Sequence, residues 1–326
     1  MPDEASIRKD AELVVDVCMT VEKDDVVTII TDDEHSHEAH VVAEVCMERE
    51  AWPVVMNNEM QVRRGLADTL FPMAPPQNLH QAMTHSDEVI IITNLEWANR
   101  FAHNAAVKET VANNGKIASV EPGMGEWGLT LEMLHAARQR AQDAMKALEG
   151  VEKVRVTSPK GSDFTVTIKD RPPLALVPIK ERGVMMGPLP LWAEVAYAAV
   201  EDQTAGTMVV DGVMLGIGLP GQVNEPITWT IEGGDDAGRL REVIDGVENS
   251  TVIGEFAFGV SDIAPFGTPS EKGRVGTVHC ALGDNHSAYP GGQNVCKLHL
   301  DGVVLDATLQ VVDDGRYIIK DGQWAL

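Results

Sequence analysis

The stretch Gly254–Asp301, GEFAFGVSDIAPFGTPSEKGRVGTVHCALGDNHSAYPGGQNVCKLHLD, decides how the second half of this chain is built. Apolar and polar residues alternate over Val252–Phe258, Gly276–Leu282 and Val295–Val304, as they do on half-buried strands. Turn-rich sequence separates these runs, so the chain folds back and brings them side by side. Each run carries a side chain suited to a metal ion: Glu255 on the first, His279 on the second, His299 and Asp301 on the third.

The His299-Leu300-Asp301 triplet is the sharpest part of this pattern. Residues i and i+2 of a strand project from one face, roughly 6 to 7 Å apart, which lets an imidazole and a carboxylate hold one ion or two adjacent ions. Leu300 points the other way, into a core. Taken alone, the pair reads as ordinary polar residues that satisfy one another at a sheet edge; with His279 and Glu255 on neighbouring strands, the four predict a metal site. Glu194 is a further candidate, because it stands in an apolar setting between Trp192 and Tyr197. Desolvating an unpaired carboxylate there costs several kcal/mol, and a cation would supply the partner. The alternative for Glu194 is a capping position on a helix surface. Cys280 and Cys296 flank the proposed ligand histidines, but the expected role of each is a small buried hydrophobe.

Composition bounds the rest. The chain has 326 residues, 44% of them hydrophobic, which suits two domains with proper cores. Acidic residues outnumber basic ones by 50 to 26, and the formal charge of -24 excludes nucleic acid and anionic lipid as partners. The four cysteines show no C-x-x-C spacing and read as reduced thiols. The amino terminus has no apolar core of signal-peptide kind, and no apolar run approaches the roughly 18 to 20 residues of a membrane span. A soluble, cytoplasmic protein is expected.

Residues 1–150 alternate strand and helix. Val26–Ile30, Trp52–Met56, Asp87–Thr93 and Gly115–Val120 read as strands; Ile7–Val21, a segment capped by Asp33 or Ser36 and running to Glu50, Gln77–Thr84 and Leu129–Glu149 read as helices, with FPMAPP as a rigid break. This rhythm predicts an α/β, Rossmann-like domain whose parallel sheet is covered on both faces. No G-x-G-x-x-G follows the first strand and no G-x-x-x-x-G-K-[ST] occurs, so a nucleotide site is not expected. GMGEWG at Gly123–Gly128 reads as a tight loop, and His35, His37 and His40 read as solvated residues at a helix start. Residues 151–326 change to short strands between Gly, Pro and Asp, predicting a mainly antiparallel β (α+β) metal-binding domain. Pro172–Pro190 is broken by prolines and glycines and fits no regular element, a kind of segment that is commonly functional.

Two histidines with two or three carboxylates make a mixed nitrogen and oxygen shell suited to zinc, cobalt, manganese or iron(II). Three carboxylates exceed what one ion usually takes, whereas two ions bridged by a carboxylate would use them all. A single iron(II) on His279, His299 and Asp301 would instead leave positions open for oxygen and a chelating substrate.

GEFAFG (Gly254–Gly259), GTVHCALGDN (Gly276–Asn285) and HLDGVV (His299–Val304) resemble, in this order, the carboxy-terminal motifs of the thermophilic aminopeptidase T family of metallopeptidases. The resemblance covers roughly Pro188–Gly322. It implies homodimers holding two divalent ions through two glutamates, two histidines and one aspartate. Position by position these fall on Glu255, His279, His299 and Asp301, with Glu194 as the first glutamate, where PLPLWAEV shortens the family's Asn-x-Pro-x-Glu-Glu-Val segment. His286 stands near the place of the family's catalytic tyrosine, and Tyr289 comes slightly later. A second branch, similar in chain length and in a KGSDF-like segment at Lys160–Phe164, is the 2,5-dihydroxypyridine 5,6-dioxygenases. It binds one iron(II) through two histidines and an aspartate, with a histidine in place of Glu255 and an apolar residue in place of His279. What the resemblance implies is a metal-dependent hydrolase, aminopeptidase-like, acting on a small amide or short peptide. Glu194 or Glu255 would double as the base toward water, and His286 or Tyr289 would stabilise an oxyanion. The rival is an iron(II) ring-cleaving dioxygenase, and behind it a non-catalytic metal-binding protein.

Overall fold

The computed structural model describes residues 2–67, 74–102, 104–218, 221–230, 232–286 and 288–326; the first half of the break expected at FPMAPP, residues 71–73, lies outside them. The described residues form two compact units, one running up to Leu134 and including Leu176–Leu191, the other made of His135–Ala175 and Trp192–Leu326. The architecture is mixed α/β, with one parallel sheet and several antiparallel ones. Among the described residues no helix is long and apolar enough to cross a membrane.

The first unit is built on a parallel sheet ordered Trp52–Asn57, Val26–Thr31, Glu88–Ile92, Lys116–Val120, Pro188–Leu189. Every residue of Glu88–Ile92 and Lys116–Val120 is buried, as strands in the middle of a parallel sheet should be, and the buried Glu88 and Lys116 that open them pair with one another at 3.2 Å. Ile30, Val89, Ile91 and Ile117 form one core with Leu79, Met83, Trp97, Phe101 and Val107 from the helices. Trp97 and Phe101, one turn apart, stack at 4.5 Å. GMGEWG is the tight loop expected: Glu126 N–H donates to Gly123 O at 2.9 Å, and Gly123 and Gly125 take positive φ. The first helix departs from the reading, changing from α to the wider π form over Leu13–Met19.

Pro172–Pro190 departs further. Leu174–Leu176 and Pro188–Leu189 are both strands, each at the edge of a different sheet. Edge positions tolerate proline and glycine because only one side of the strand is paired, so composition hid them.

In the second unit, a six-stranded sheet is ordered Ala205–Thr207, Asp163–Thr167, Lys153–Thr157, Thr308–Val311, Tyr317–Lys320, Gln323–Trp324. A five-stranded sheet is ordered His299–Val304, Val278–Gly283, Ile253–Gly259, Glu194–Ala198, Leu174–Leu176. Its first four strands pair antiparallel and are buried almost throughout. This sheet carries every candidate ligand.

Candidate metal centre

The register of the five-stranded sheet gathers the ligands onto one face. Glu255 pairs with Ala198 on one side and Ala281 on the other, and Ala281 pairs with Asp301. Two residues along, Ala257 lies between Ala196 and His279; Glu194 faces Gly259, and His299 faces Gly283. Because side chains alternate along a strand, Glu194, Glu255, His279, His299 and Asp301 share a face whose intervening positions are mostly alanine or glycine. The opposite face carries Tyr197, Phe256 and Phe258, with ring centroids 6.0 to 6.5 Å apart, and buried Cys280, Leu282 and Leu300.

A β-bulge between Ile253 and Glu255 sets the aim of Glu255. Gly254 occupies it, and a Cβ there would lie 2.4 Å from the Gly283 carbonyl oxygen. The Gly-Glu sequence is thus a steric requirement of this bend.

Glu255 lies between the two histidines, one oxygen toward each. Its Oε2 is 2.9 Å from His299 Nε2 and its Oε1 is 3.5 Å from His279 Nε2. Glu194 Oε2 is 3.4 Å from His279 Nε2, and Asp301 Oδ1 is 3.3 Å from His299 Nε2. The result is two triads that share one carboxylate: Glu194, Glu255, His279 and Glu255, His299, Asp301, each with ligand atoms within 4.8 Å of one another. All five residues are buried. Neither triad contains a cysteine.

Whether the residues suit an ion can be tested on their hydrogen bonds. Glu194 Oε2, Glu255 Oε1, Asp301 Oδ1 and both ring nitrogens of His279 are buried and make none. Buried polar atoms of folded proteins are nearly always paired, so several such unpaired atoms in one cluster fit divalent cations.

The electrostatics point the same way. Burial pushes the Glu194 carboxyl up to about 7, against the partial offset of His279 and Lys272. Burial and the Asp301 charge push Glu255 up as well, but the two facing histidines outweigh them and hold it at about 2. Burial depresses His299, yet Asp301 and Glu255 more than reverse this and raise it to about 10. Asp301 is held well below the usual carboxylate range, Lys272 and His299 overcoming its burial. The carboxylates demand positive charge, and without an ion they draw it from His299 and Lys272.

Lys272 escaped the sequence reading. It sits in the short 3-10 helix Pro269–Gly273, buried, with Nζ 2.9 Å from Asp301 Oδ2 and 5.6 Å from the Trp192 ring centroid. Gly273 permits this approach, since a Cβ there would meet Trp192 Cδ1 at 2.2 Å. The neighbouring Glu271 fixes the helix by accepting from Val213 N–H and Gly267 N–H, both at 2.8 Å. Nothing in SEKGRVG marks the lysine beforehand, because the contact is made across the fold.

Tyr289 is buried beside the centre. Its ring stacks on His299 at 5.6 Å, its hydroxyl is 3.4 Å from His299 Nε2, and it packs on Ala196, Ala198 and Ala257. The alanines make room for the ring. His299 Nδ1 is 2.7 Å from the Asp284 carbonyl, which fixes the tautomer with Nε2 toward the carboxylates. His286 is exposed in the turn after its strand and stands apart from both triads. His35, His37 and His40 do not converge: they bond Asp32, Glu4 and the Ser36 carbonyl separately.

No protein-family model matches the chain, and no curated protein sequence matches it. Solved structures do, among them two enzymes. One is a 2,5-dihydroxypyridine dioxygenase from Pseudomonas putida KT2440, with TM-score 0.78 and 17% identity, over 99% of this chain and 97% of that one. The other is AmpT, aminopeptidase T, from Thermus thermophilus, with TM-score 0.65 and 16% identity, over 99% of this chain and all of that one. At these identities the likeness is one of fold. Over nearly its whole length, the chain is thus similar in fold to two enzymes of different chemistry.

Proposed function

We propose that the chain is a metal-dependent hydrolase of aminopeptidase type, acting on a small amide or short peptide with two divalent ions, zinc, cobalt or manganese. The observation that carries this reading is Glu255, whose two oxygens are directed at histidines of different triads. A shared carboxylate is the usual bridge of a two-ion site. Glu194 and His279 would hold one ion, His299 and Asp301 the other. Such ions, when bound, polarise a carbonyl and bring a water toward hydroxide near neutral pH.

The chain's own residues supply the rest. Glu194 lies at the end of the cluster away from Asp301 and takes the proton of the attacking water. Tyr289, fixed by its stack on His299, donates from its hydroxyl to the developing oxyanion; the exposed His286 has no part in this reading. The buried alanine face keeps bulk water from the reacting groups. A homodimer in the cytoplasm is carried with the proposal.

The second reading, an iron(II) ring-cleaving dioxygenase, is favoured by the higher structural similarity to the dioxygenase fold. It requires His279, His299 and Asp301 to converge on one ion, whereas the two histidines fall in different triads. Metal content separates the two. In protein purified anaerobically without chelator or metal-affinity resin, close to two zinc, cobalt or manganese ions per chain, with hydrolysis of amino-acyl amides, is expected. One iron per chain with oxygen uptake on hydroxypyridines would overturn the hydrolase.

A further inference from the structure

The two triads are alike in ligand type but not in charge. Lys272 Nζ caps Asp301 Oδ2 at 2.9 Å, so Asp301 offers only Oδ1, the oxygen on the His299 side. Glu194 forms no lysine or arginine ion pair among the described residues: its partner is His279, and Lys272 acts on it through charge without the direct contact it makes with Asp301. Lys272 is buried, lies over Trp192, and sits on a helix pinned by Glu271. These contacts hold its ammonium against Asp301.

We propose that Lys272 is a resident cation that makes the two ion positions unequal, leaving the Glu194, Glu255, His279 position tight and the Glu255, His299, Asp301 position weak and exchangeable. This rests on the two-ion reading. The physical cause is repulsion between a fixed ammonium and a divalent ion on the same carboxylate. In a buried site the interaction of such charges is screened far less than at a surface. The tight ion holds Glu255 in place, and the weak ion comes and goes with its concentration in the medium. Occupancy of the second position would then set activity.

The test is titration of metal-free protein with Co2+ or Zn2+, followed by calorimetry and by the visible bands of Co2+. The wild type is expected to show two dissociation constants, separated by on the order of tenfold or more. In Lys272→Met the weaker constant tightens by about tenfold or more while the stronger one moves less; Lys272→Arg, which keeps the charge, retains the wild-type gap. Two variants that leave Lys272 untouched assign the positions independently: Glu194→Gln removes the tight step and Asp301→Asn the weak one. Two ions with an unchanged or loosened weaker constant in Lys272→Met overturn the role of Lys272 alone. So does the reverse assignment by Glu194→Gln and Asp301→Asn, which decides the matter if Lys272→Met does not fold. A single ion in both wild type and Lys272→Met overturns the two-ion reading and this inference together.

Discussion

Glu255 directs one oxygen at each histidine, so turning one oxygen into an amide nitrogen disturbs both triads. Glu255→Gln keeps the volume and removes the shared charge; metal content should fall below one ion per chain. The loss of affinity should exceed the roughly 10- to 100-fold seen when only an outer partner of a metal ligand is removed, as read by metal analysis after dialysis. Lys180 offers a residue-scale test away from the site. It is buried, and burial holds its ammonium at about 8 instead of 10.5, with Nζ donating to the Met185 carbonyl at 2.9 Å. Because the folded value is the lower one, the stability it contributes is complete above about pH 10.5 and is lost as pH falls through about 8. At pH 7 the difference amounts to at most about 3 kcal/mol. Lys180→Met should therefore gain stability relative to wild type at pH 7 and much less at pH 10, measured by denaturant midpoints. Neither Lys180 nor Lys272 was legible in the sequence, since a lysine is exposed by default and only the fold shows which one is enclosed. That Glu255, His279, His299 and Asp301 would share one face was legible, because strand periodicity itself fixes which side chains lie together.

At the scale of elements, what could be read was whatever was long and regular. Gln77–Thr84 is a helix with the bounds expected, and Glu88–Ile92 and Lys116–Val120 fall inside the runs expected. What escaped was short and paired at one side, such as Leu174–Leu176 and Pro188–Leu189, where a few residues give no period to detect. The bulge before Glu255 escaped too, although its glycine stood in the motif. Gly254→Ala should force the Ile253–Gly259 and Val278–Gly283 strands apart at the Gly283 carbonyl. A loss of about 1 to 3 kcal/mol is expected, together with weaker metal binding, although no ligand is changed; an unaltered melting temperature would show that the bend does not depend on glycine.

At the scale of the whole molecule the charge of -24 opposes compaction through repulsion among the acidic residues. Raising salt from about 0.02 to about 0.5 M shortens the Debye length to a few ångströms, so the melting temperature should rise with sodium chloride in the metal-free protein. A flat or falling dependence would mean the acidic residues are already compensated locally. The six-stranded sheet of the second unit has a different consequence, one of time. Lys153–Thr157 lies between Asp163–Thr167, made ten residues later, and Thr308–Val311, made some hundred and fifty residues later. All the strands that bear ligands are synthesised between those two partners. The pairing of Lys153–Thr157 with Thr308–Val311 therefore has to wait until nearly the whole second unit has been made. Contacts so distant in sequence slow folding, and the sheet is completed only by Tyr317–Lys320 and Gln323–Trp324, made later still.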